Sequence, residues 1–380
     1  MALTVVCAPD SFKESMSART AAEALAEGVH RVVPDAECRL VPMADGGEGT
    51  TRTVVDALGG EVVTVPCVDA LGRPATAEYG WVAETGLAVI EVASACGLAQ
   101  ITPPDRDVRV ATSRGVGQLV RQALDRGARR LLIGLGGSAT NDAGTGMLAE
   151  LGVRFLDADD ADLPAGGAAL SRLAGVDVGG LDPRLADCEI DLACDVDNPL
   201  CGASGASHVF GPQKGADPDD VLALDAALTR WADVVEPALG RTVRDLPGAG
   251  AAGGLGAAFL GVLDARPAPG VELVADVVGL ASAVVGADWV LSGEGRIDAQ
   301  TRHGKTPWGV TLVARAAGVP VVLFGGRVDP SAEDLLDLVE RLVAISVDAP
   351  SLTDALTRAP EYLADAAERV VRDLLAARRS

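Results

Sequence analysis

The sequence predicts a two-domain α/β protein, one domain of which is a doubly wound parallel sheet. Short apolar runs end in glycine-rich or acidic turns that open helical patterns, as expected of such a sheet. The chain has 380 residues, more than one typical domain. Hydrophobic residues make up 48% and aromatics only 3%. The interior must therefore be packed mainly by Ala, Val and Leu.

The N-terminal segment alternates strand and helix patterns. Apolar runs and helical spacing predict, in order, a strand at 3–7, a helix at 15–33, a strand at 38–43, a helix at 48–58 and a strand at 61–67. We interpret this order as a β-α-β-α-β opening of one sheet.

The middle of the chain has a different character. Alternating apolar residues at 77–82 and 87–92 predict antiparallel or mixed strands. The pattern then predicts a helix at 114–128, a strand at 130–133, a helix at 142–151, a strand at 189–194, a long helix at 217–239 and a glycine-rich helix at 251–263.

The C-terminal segment resumes the opening pattern. It predicts strands at 287–291, 319–324 and 342–346 and helices near 306–317, 331–340 and 360–377. We therefore expect a discontinuous Rossmann-like domain from residues 1–72 and 285–380, with residues 73–284 inserted as an α/β domain with a mixed sheet. The active site is expected in the cleft between them.

The charge balance narrows the classes of partner. A formal charge of -22 would repel a nucleic-acid backbone, so nucleic acid is not an expected partner. An anionic small ligand would need local cations to offset this field, and the candidates are Lys13, Arg114, Lys214, Arg296 and Lys305. No apolar stretch has membrane-helix length, and scattered cysteines indicate reduced thiols, so we expect a cytoplasmic protein without a membrane partner.

One glycine turn fits a dinucleotide-binding signature. Gly134 to Ala139 reads G-x-G-x-x-A after a predicted strand, and Asp157 follows a second apolar run. The polar Thr140, Asn141 and Asp142 suit phosphate or substrate instead, and a purely structural turn is the third interpretation. A second match at 248–253 follows no strand, so tight helix packing explains it at least as well.

Other motifs are weaker. Gly304-Lys305-Thr306 resembles the end of a P-loop, but Ala299 replaces the required glycine. Lys305 would then be either a phosphate-binding point charge or a solvated lysine. None of the histidines lies at metal-ligand spacing from another. His208 and His303 lie in polar loops where they could contact ligand.

Aspartates follow several predicted strands. Phosphoryl transfer needs a carboxylate to accept a hydroxyl proton and others to hold Mg²⁺. Any single one is equally explained as a helix cap or a turn residue. The strand-end and turn positions are Asp10, Asp45, Asp195, Asp197 and Asp298.

Taken in order, these motifs resemble the class I glycerate kinases, the glycerate 2-kinase family, across about residues 3–310. The family pattern is loose at Asp197, whereas Asp195 is the firmer aspartate. The segments that carry the resemblance are Ala8-Pro-Asp-Ser-Phe-Lys-Glu-Ser15, Ala44-Asp-Gly-Gly-Glu-Gly-Thr50, Thr112-Ser-Arg-Gly115, Gly136-Gly-Ser-Ala-Thr-Asn-Asp142, Cys194-Asp-Val-Asp-Asn-Pro-Leu200, Phe210-Gly-Pro-Gln-Lys-Gly215, Gly248-Ala-Gly-Ala-Ala-Gly-Gly254 and Ser292-Gly-Glu-Gly-Arg-Ile-Asp298.

The resemblance implies ATP-dependent phosphorylation of glycerate with Mg²⁺, at the 2-hydroxyl of D-glycerate. We expect a monomer or homodimer. On chemical grounds Asp195 is the expected general base, and Lys13 and Arg296 neutralise the substrate carboxylate and the transferring phosphoryl group. The remaining expected roles are substrate binding by Asp10, Arg114, Ser138 and Asn141, nucleotide or phosphate binding by Gly136, Gly137, Gly253, Gly254 and Lys305, and metal binding by Asp45 and Glu48.

Two other functions remain open from the residues alone. A nicotinamide-dependent dehydrogenase would use the Gly134 turn and Asp157, although no catalytic histidine is evident near a substrate loop. A non-catalytic binding protein for a small sugar acid would use the cations and glycines, but it would not need the strand-end aspartates.

Overall fold

The chain divides into two compact units. A computed structural model describes residues 3–302 and 304–378, so His303 lies outside the described residues. The first unit consists of Met1–Asp45, Asp56–Leu58 and Val271–Ser380, and the second of Gly46–Val55 and Gly59–Gly270. The sequence prediction set these divisions after residue 72 and before residue 285.

The strands are numbered in chain order. They are β1 (Thr4–Cys7), β2 (Glu37–Leu40), β3 (Glu61–Val68), β4 (Pro74–Val82), β5 (Leu87–Glu91), β6 (Arg130–Gly134), β7 (Arg154–Leu156), β8 (Gly175–Asp177), β9 (Glu189–Ala193), β10 (Arg266–Ala268), β11 (Trp289–Ile297), β12 (Val321–Val328) and β13 (Arg341–Ala344).

The α-helices are numbered in the same way. They are α1 (Ala18–Val32), α2 (Thr50–Leu58), α3 (Ala93–Cys96), α4 (Arg114–Asp125), α5 (Thr145–Glu150), α6 (Ala206–Phe210), α7 (Pro218–Leu239), α8 (Ala251–Ala257), α9 (Gly270–Val277), α10 (Leu280–Val284), α11 (Thr306–Ala316), α12 (Leu352–Thr357) and α13 (Ala359–Ala377).

The first unit contains a parallel sheet with strand order β13-β12-β11-β1-β2. From β1 the chain adds β2 on one side, whereas β12 and β13 extend the sheet on the other side of β11. The strand order therefore reverses between β1 and β11, where ligands bind at the carboxyl ends of such sheets. Helices α1 and α13 pack together, and their Leu25 and Leu363 are fully buried. The predicted α/β class with a parallel sheet from both termini is confirmed.

The strand predicted at 61–67 exists, but its assignment to the opening sheet was wrong. It is β3, which pairs antiparallel with β4 in the second unit. The reason lies in the turn: the Asp69 carboxylate accepts hydrogen bonds from the Leu71 and Arg73 N–H groups and closes a short hairpin. A connection this short can join only antiparallel strands.

The second unit contains the predicted mixed sheet, with strand order β10-β9-β6-β5-β4-β3. Strands β5, β6, β9 and β10 run parallel, whereas β3, β4 and β5 are joined as antiparallel neighbours. Ile90, Leu131 and Ile133 from its central strands are buried in one core with Trp231 of α7 and Phe259. This core fixes the strand ends that carry the polar turns of the unit.

Among residues 3–302 and 304–378, no helix combines the length and apolar character needed to cross a bilayer.

Candidate active site

Asp10 is the centre of a polar cluster at the carboxyl edge of the parallel sheet. Its carboxylate accepts a hydrogen bond of 2.5 Å from the Thr306 hydroxyl, at the first residue of α11, and one of 2.6 Å from the Ser11 N–H. Glu294 of β11 accepts from the Thr301 hydroxyl at 2.9 Å, and the Lys305 ammonium lies 3.5 Å from its carboxylate. The loop after β1 and strand β11 itself thus bring two carboxylates to one place.

Both carboxyl groups have raised pKa values. Burial raises the pKa of Asp10 to about 6, and the negative charge of Asp45 adds to this effect, whereas the hydrogen bonds lower it. Burial also raises the pKa of Glu294 to about 7; Asp10 adds to this, and Lys305 opposes it. Carboxyl groups that titrate near neutral pH can exchange protons with a substrate, so perturbed values of this kind mark candidate functional sites.

The predicted cations of this unit differ in their partners. Arg296 lies 3.3 Å from the Asp298 carboxylate and 3.2 Å from that of Asp329, and Lys305 also lies 3.6 Å from Asp298. The structure thus brings together Arg296, Lys305 and Asp298. Lys13 is exposed, and its ammonium has no ion pair among the described residues. It is the predicted cation of this unit that is available to a ligand without breaking an ion pair.

In the second unit, the glycine turn after β6 lies at a strand end. Gly136 and Gly137 are exposed, while the next residue, Ser138, is buried. The Lys214 ammonium donates to the Ser138 hydroxyl at 3.0 Å and to the Thr140 carbonyl oxygen at 2.7 Å. A buried lysine therefore hydrogen-bonds the inner side of the turn, and the backbone of Gly136 and Gly137 remains exposed.

Lys214 has an unusual environment for an ammonium group, since only 3% of the residue is exposed. Burial lowers its pKa to about 8, while the negatively charged forms of Cys96 and Asp142 raise it. The sequence singled out Lys214 as a cation for an anionic ligand. The structure instead gives it two protein acceptors beneath the turn.

Asp142 links two helix starts to this turn. Its carboxylate accepts from the N–H and the hydroxyl of Ser113, which precedes α4, and from the N–H groups of Gly144 and Gly146 at the start of α5. It is fully buried, and burial raises its pKa against these hydrogen bonds. Asn141 is also fully buried; its amide donates to the Ser207 hydroxyl at 2.9 Å, and its Oδ1 has no partner in the described part of the chain. The polar run after the glycine turn thus fixes the backbone.

Close packing accounts for Gly253 and Gly254. Gly253 has φ of +68°, and a Cβ built there would lie 1.9 Å from the Thr140 carbonyl oxygen. Gly254 has φ of +92°, and a Cβ there would lie 2.7 Å from Ala143. The tight packing considered for this motif is therefore present, against the very loop that carries Asn141 and Asp142. A phosphate-binding role for these two glycines stays a prediction.

Asp195 lies just beyond the end of β9 and is exposed. Its carboxylate accepts a hydrogen bond of 3.1 Å from the Gly270 N–H, at the first residue of α9. This bond orients the side chain without burying it. The neighbouring Asp197 is exposed as well.

Arg114, predicted to bind substrate, is partnered by a carboxylate. Its guanidinium lies 2.8 Å from Glu150, whose side chain is only 5% exposed and also pairs with Arg121. Glu150 therefore partners this cation in the structure, although it shares its single charge with Arg121.

The predicted metal ligands fall in different units, Asp45 in the first and Glu48 in the second. Glu48 is exposed and Asp45 is partly buried. Across the described ranges, no group of three or more His, Cys, Asp or Glu side chains could hold a metal ion. A magnesium ion that arrives with a nucleotide needs only one or two carboxylates, because phosphate oxygens and water complete its shell.

The structure argues against a dinucleotide fingerprint at Gly134. That motif requires a second parallel strand beside the first, ending in the acid that binds ribose. Asp157 instead follows β7, which pairs antiparallel with β8 in a separate two-stranded sheet. The Gly134 turn thus lacks the βαβ context of a nicotinamide site.

Sequence reasoning missed Glu294 and Thr306 as partners of the Asp10 cluster. Both lie within or beside motifs that were singled out, Ser292 to Asp298 and Gly304-Lys305-Thr306. Glu294 lies inside β11, whose first five residues are all buried, and an acidic residue at such a position was a usable indication, because a buried carboxylate is costly without a partner or a functional role.

Comparisons with known proteins identify the same family over nearly the whole chain. The sequence matches the glycerate kinase family over residues 5–375. It is 46% identical over 375 residues to the glycerate kinase of Bacillus subtilis, covering 98% of this chain and 97% of the relative. It is 44% identical over 324 residues to the glycerate 2-kinase of Escherichia coli, covering 85% of each chain.

The fold agrees as well. A crystal structure of the protein described as glycerate kinase 2 from Salmonella typhimurium LT2 superposes with a TM-score of 0.93 at 43% identity, and the match covers 100% of both chains. The chain therefore belongs to the glycerate kinase family, whose members are phosphotransferases.

Proposed function

We propose that this enzyme transfers the terminal phosphoryl group of ATP to the 2-hydroxyl of D-glycerate, in the cytoplasm, with Mg²⁺ bound to the nucleotide. The observation that carries the proposal is the 44% identity to a glycerate 2-kinase over 85% of the chain. An exposed aspartate beyond a parallel strand and exposed glycines at the neighbouring strand end support it.

In this proposal Asp195 accepts the proton of the attacking hydroxyl. An exposed carboxylate just beyond a strand end can reach a substrate hydroxyl, and the hydrogen bond from the Gly270 N–H helps to orient it. The N–H groups of Gly136 and Gly137 bind phosphate oxygens, because glycine lets a backbone approach an anion closely.

Lys13 and Arg296 neutralise the glycerate carboxylate and the transferring phosphoryl group. A chain with a net charge of -22 needs such cations before two anions can meet. Mg²⁺, when bound, neutralises the phosphate oxygens further, and Asp45 and Glu48 are the carboxylates proposed to hold it.

The direct test is ADP release coupled to a reporter reaction, with ATP, Mg²⁺ and D-glycerate. Release that requires glycerate, with phosphorus NMR placing the new ester on the 2-hydroxyl, is the expected result. An ester on the 3-hydroxyl would overturn the proposed position alone, whereas no glycerate-dependent release would overturn the kinase proposal and favour a binding protein.

A further inference from the structure

The first unit contains a pocket of about 480 Å³ at the carboxyl ends of β11, β12 and β13. Its walls come from the loop after β1, from the end of β12 and from the segment that joins β13 to α12. This volume lies within the range of small-molecule sites, and the position is where open parallel sheets bind ligands. The Ser346 hydroxyl donates to the Gly326 carbonyl oxygen at 2.8 Å and so links the segment after β13 to the end of β12.

Apolar side chains dominate the pocket and extend to its rim. Phe12 is buried, whereas Val347 is 76% exposed and Leu352 is 75% exposed. Exposed aliphatic side chains beside a pocket add apolar surface that a ligand can bury, and a flat heterocyclic base is an apolar surface of suitable chemistry. The pocket thus offers an apolar binding surface of the kind that a nucleoside requires.

The charged residues that line the pocket are basic, although the chain as a whole has a net charge of -22. Lys13 and Arg327 line it, and no Asp or Glu is among the residues that line it. Neither side chain has an ion pair or hydrogen bond among the described residues, although the chain has 54 acidic and only 32 basic residues. Two unpaired cations beside an apolar surface suit a ligand that is apolar at one end and anionic at the other.

We propose that this pocket is the nucleotide site: the base and ribose of ATP pack against Val347 and Leu352, Arg327 binds the phosphates nearest the ribose, and Lys13 binds the terminal phosphoryl group that is transferred. The choice of ATP as the occupant rests on the proposed kinase function. The location rests on the pocket, its exposed apolar rim and its unpaired cations.

The test is binding of a non-hydrolysable ATP analogue with Mg²⁺, measured by calorimetry without glycerate. Arg327→Gln and Leu352→Asp are each expected to raise the dissociation constant by about tenfold or more. Adenosine serves as a second ligand. Arg327→Gln should weaken binding of the triphosphate analogue far more than binding of adenosine, whereas Leu352→Asp should weaken binding of both. In turnover, both variants should raise the KM for ATP and leave the KM for glycerate unchanged.

Matched controls come from the same unit. Arg369 is exposed on α13 and Leu312 is 47% exposed on α11, and neither lines the pocket. Arg369→Gln and Leu312→Asp should bind the analogue like the wild type. Circular dichroism and thermal unfolding establish that all four variants are folded.

Unchanged analogue binding in folded Arg327→Gln and Leu352→Asp overturns the site, as does lost binding with an unchanged KM for ATP. The proposed function fails in a different way. If the wild type binds the analogue through this pocket but releases no ADP with glycerate, the nucleotide site stands and the kinase reaction does not.

Discussion

The Thr306 hydroxyl donates a 2.5 Å hydrogen bond to the Asp10 carboxylate, although 296 positions separate the two residues in the chain. Asp10 follows the first strand of the parallel sheet, and Thr306 begins the helix after β11. The bond therefore joins the two parts of the discontinuous unit at the point where the strand order reverses. Burial still raises the pKa of Asp10 to about 6, so this bond and the one from the Ser11 N–H together do not offset the loss of solvent.

The first prediction is that Asp10→Asn stabilises the protein above about pH 6. The pKa of Asp10 is raised from 3.8 to about 6, so the native state binds more protons than the unfolded state between these values. Native stability must then fall as pH rises through this window. An Asn side chain does not titrate, so the variant does not lose this stability. We expect its free energy of unfolding to exceed that of the wild type by about 1–3 kcal/mol at pH 8.

Urea unfolding of both proteins between pH 4 and pH 8 measures this effect. The difference in the free energy of unfolding between variant and wild type should grow from pH 4 to pH 6 and stay constant above pH 6. Asp35→Asn, an exposed carboxylate of the same unit, serves as the control. A pH-independent difference for Asp10→Asn would contradict the prediction.

The second prediction concerns Asp195 as the general base. Asp195→Asn keeps an oxygen that can accept the Gly270 N–H bond, so the fold should be unchanged. The amide cannot accept the proton of the substrate hydroxyl, and kcat should fall by about 10²–10⁴-fold with little change in KM. Steady-state kinetics of Asp195→Asn and of the neighbouring Asp197→Asn make the comparison.

Asp197→Asn should keep a kcat close to that of the wild type. Equal losses in the two variants would mean that the acidity of the loop, and not one positioned carboxylate, matters. An unchanged kcat in Asp195→Asn would remove it from the proposed mechanism.

The sequence predicted the elements well and their partners less well. The apolar run of β3 was found, but the run itself carries no information about which strand it joins; only the hairpin closed by Asp69 decides that. The strand-end aspartates were identified because they follow apolar runs. The contact of Asp10 with Thr306 was not, because it depends on two loops that meet only after the sheet is assembled.

The cations show the same limit. A chain with a net charge of -22 made Lys214 a reasonable ligand for an anion, yet tertiary packing buries it under the glycine turn. Burial of a long polar side chain depends on acceptors from elsewhere in the chain, here Ser138 and the Thr140 carbonyl. Such acceptors have no local sequence pattern.

The third prediction separates packing from ligand binding at Gly253. Gly253→Ala should destabilise the protein by more than about 3 kcal/mol, because the methyl group would meet the Thr140 carbonyl oxygen and φ is positive. Gly240 also has a positive φ, but nothing lies within 4 Å of a Cβ built there. Gly240→Ala should therefore lose only about 1–2 kcal/mol.

Chemical denaturation of both variants gives these free energies. Similar losses at the two positions would mean that the Thr140 loop moves aside readily. If Gly253→Ala were stable but lost nucleotide affinity, a phosphate-binding role would replace the packing explanation.

The last prediction is that Lys214 makes stability rise with pH in the alkaline range. Burial lowers the pKa of Lys214 from 10.5 to about 8, so the unfolded state binds more protons than the native state between these values. The free energy of unfolding must therefore increase as pH rises from 8 toward 10.5, and this contribution is lost as pH falls through 8. Lys214→Met removes the titrating group at similar volume. The difference between wild type and variant should change by about 1–3 kcal/mol across the window.

Urea unfolding at pH 7.5, 9 and 10.5 measures this difference, with Lys13→Met as the control because Lys13 is exposed. Lys13→Met should keep the alkaline rise of the wild type. If Lys214→Met keeps it too, the ammonium is not buried in solution as it is beneath the Ser138 turn. The turn that carries Gly136 and Gly137 would then depend on the four hydrogen bonds of Asp142 and on backbone bonds such as those from Leu98 N–H to Gly137 and from Ala139 N–H to Cys96.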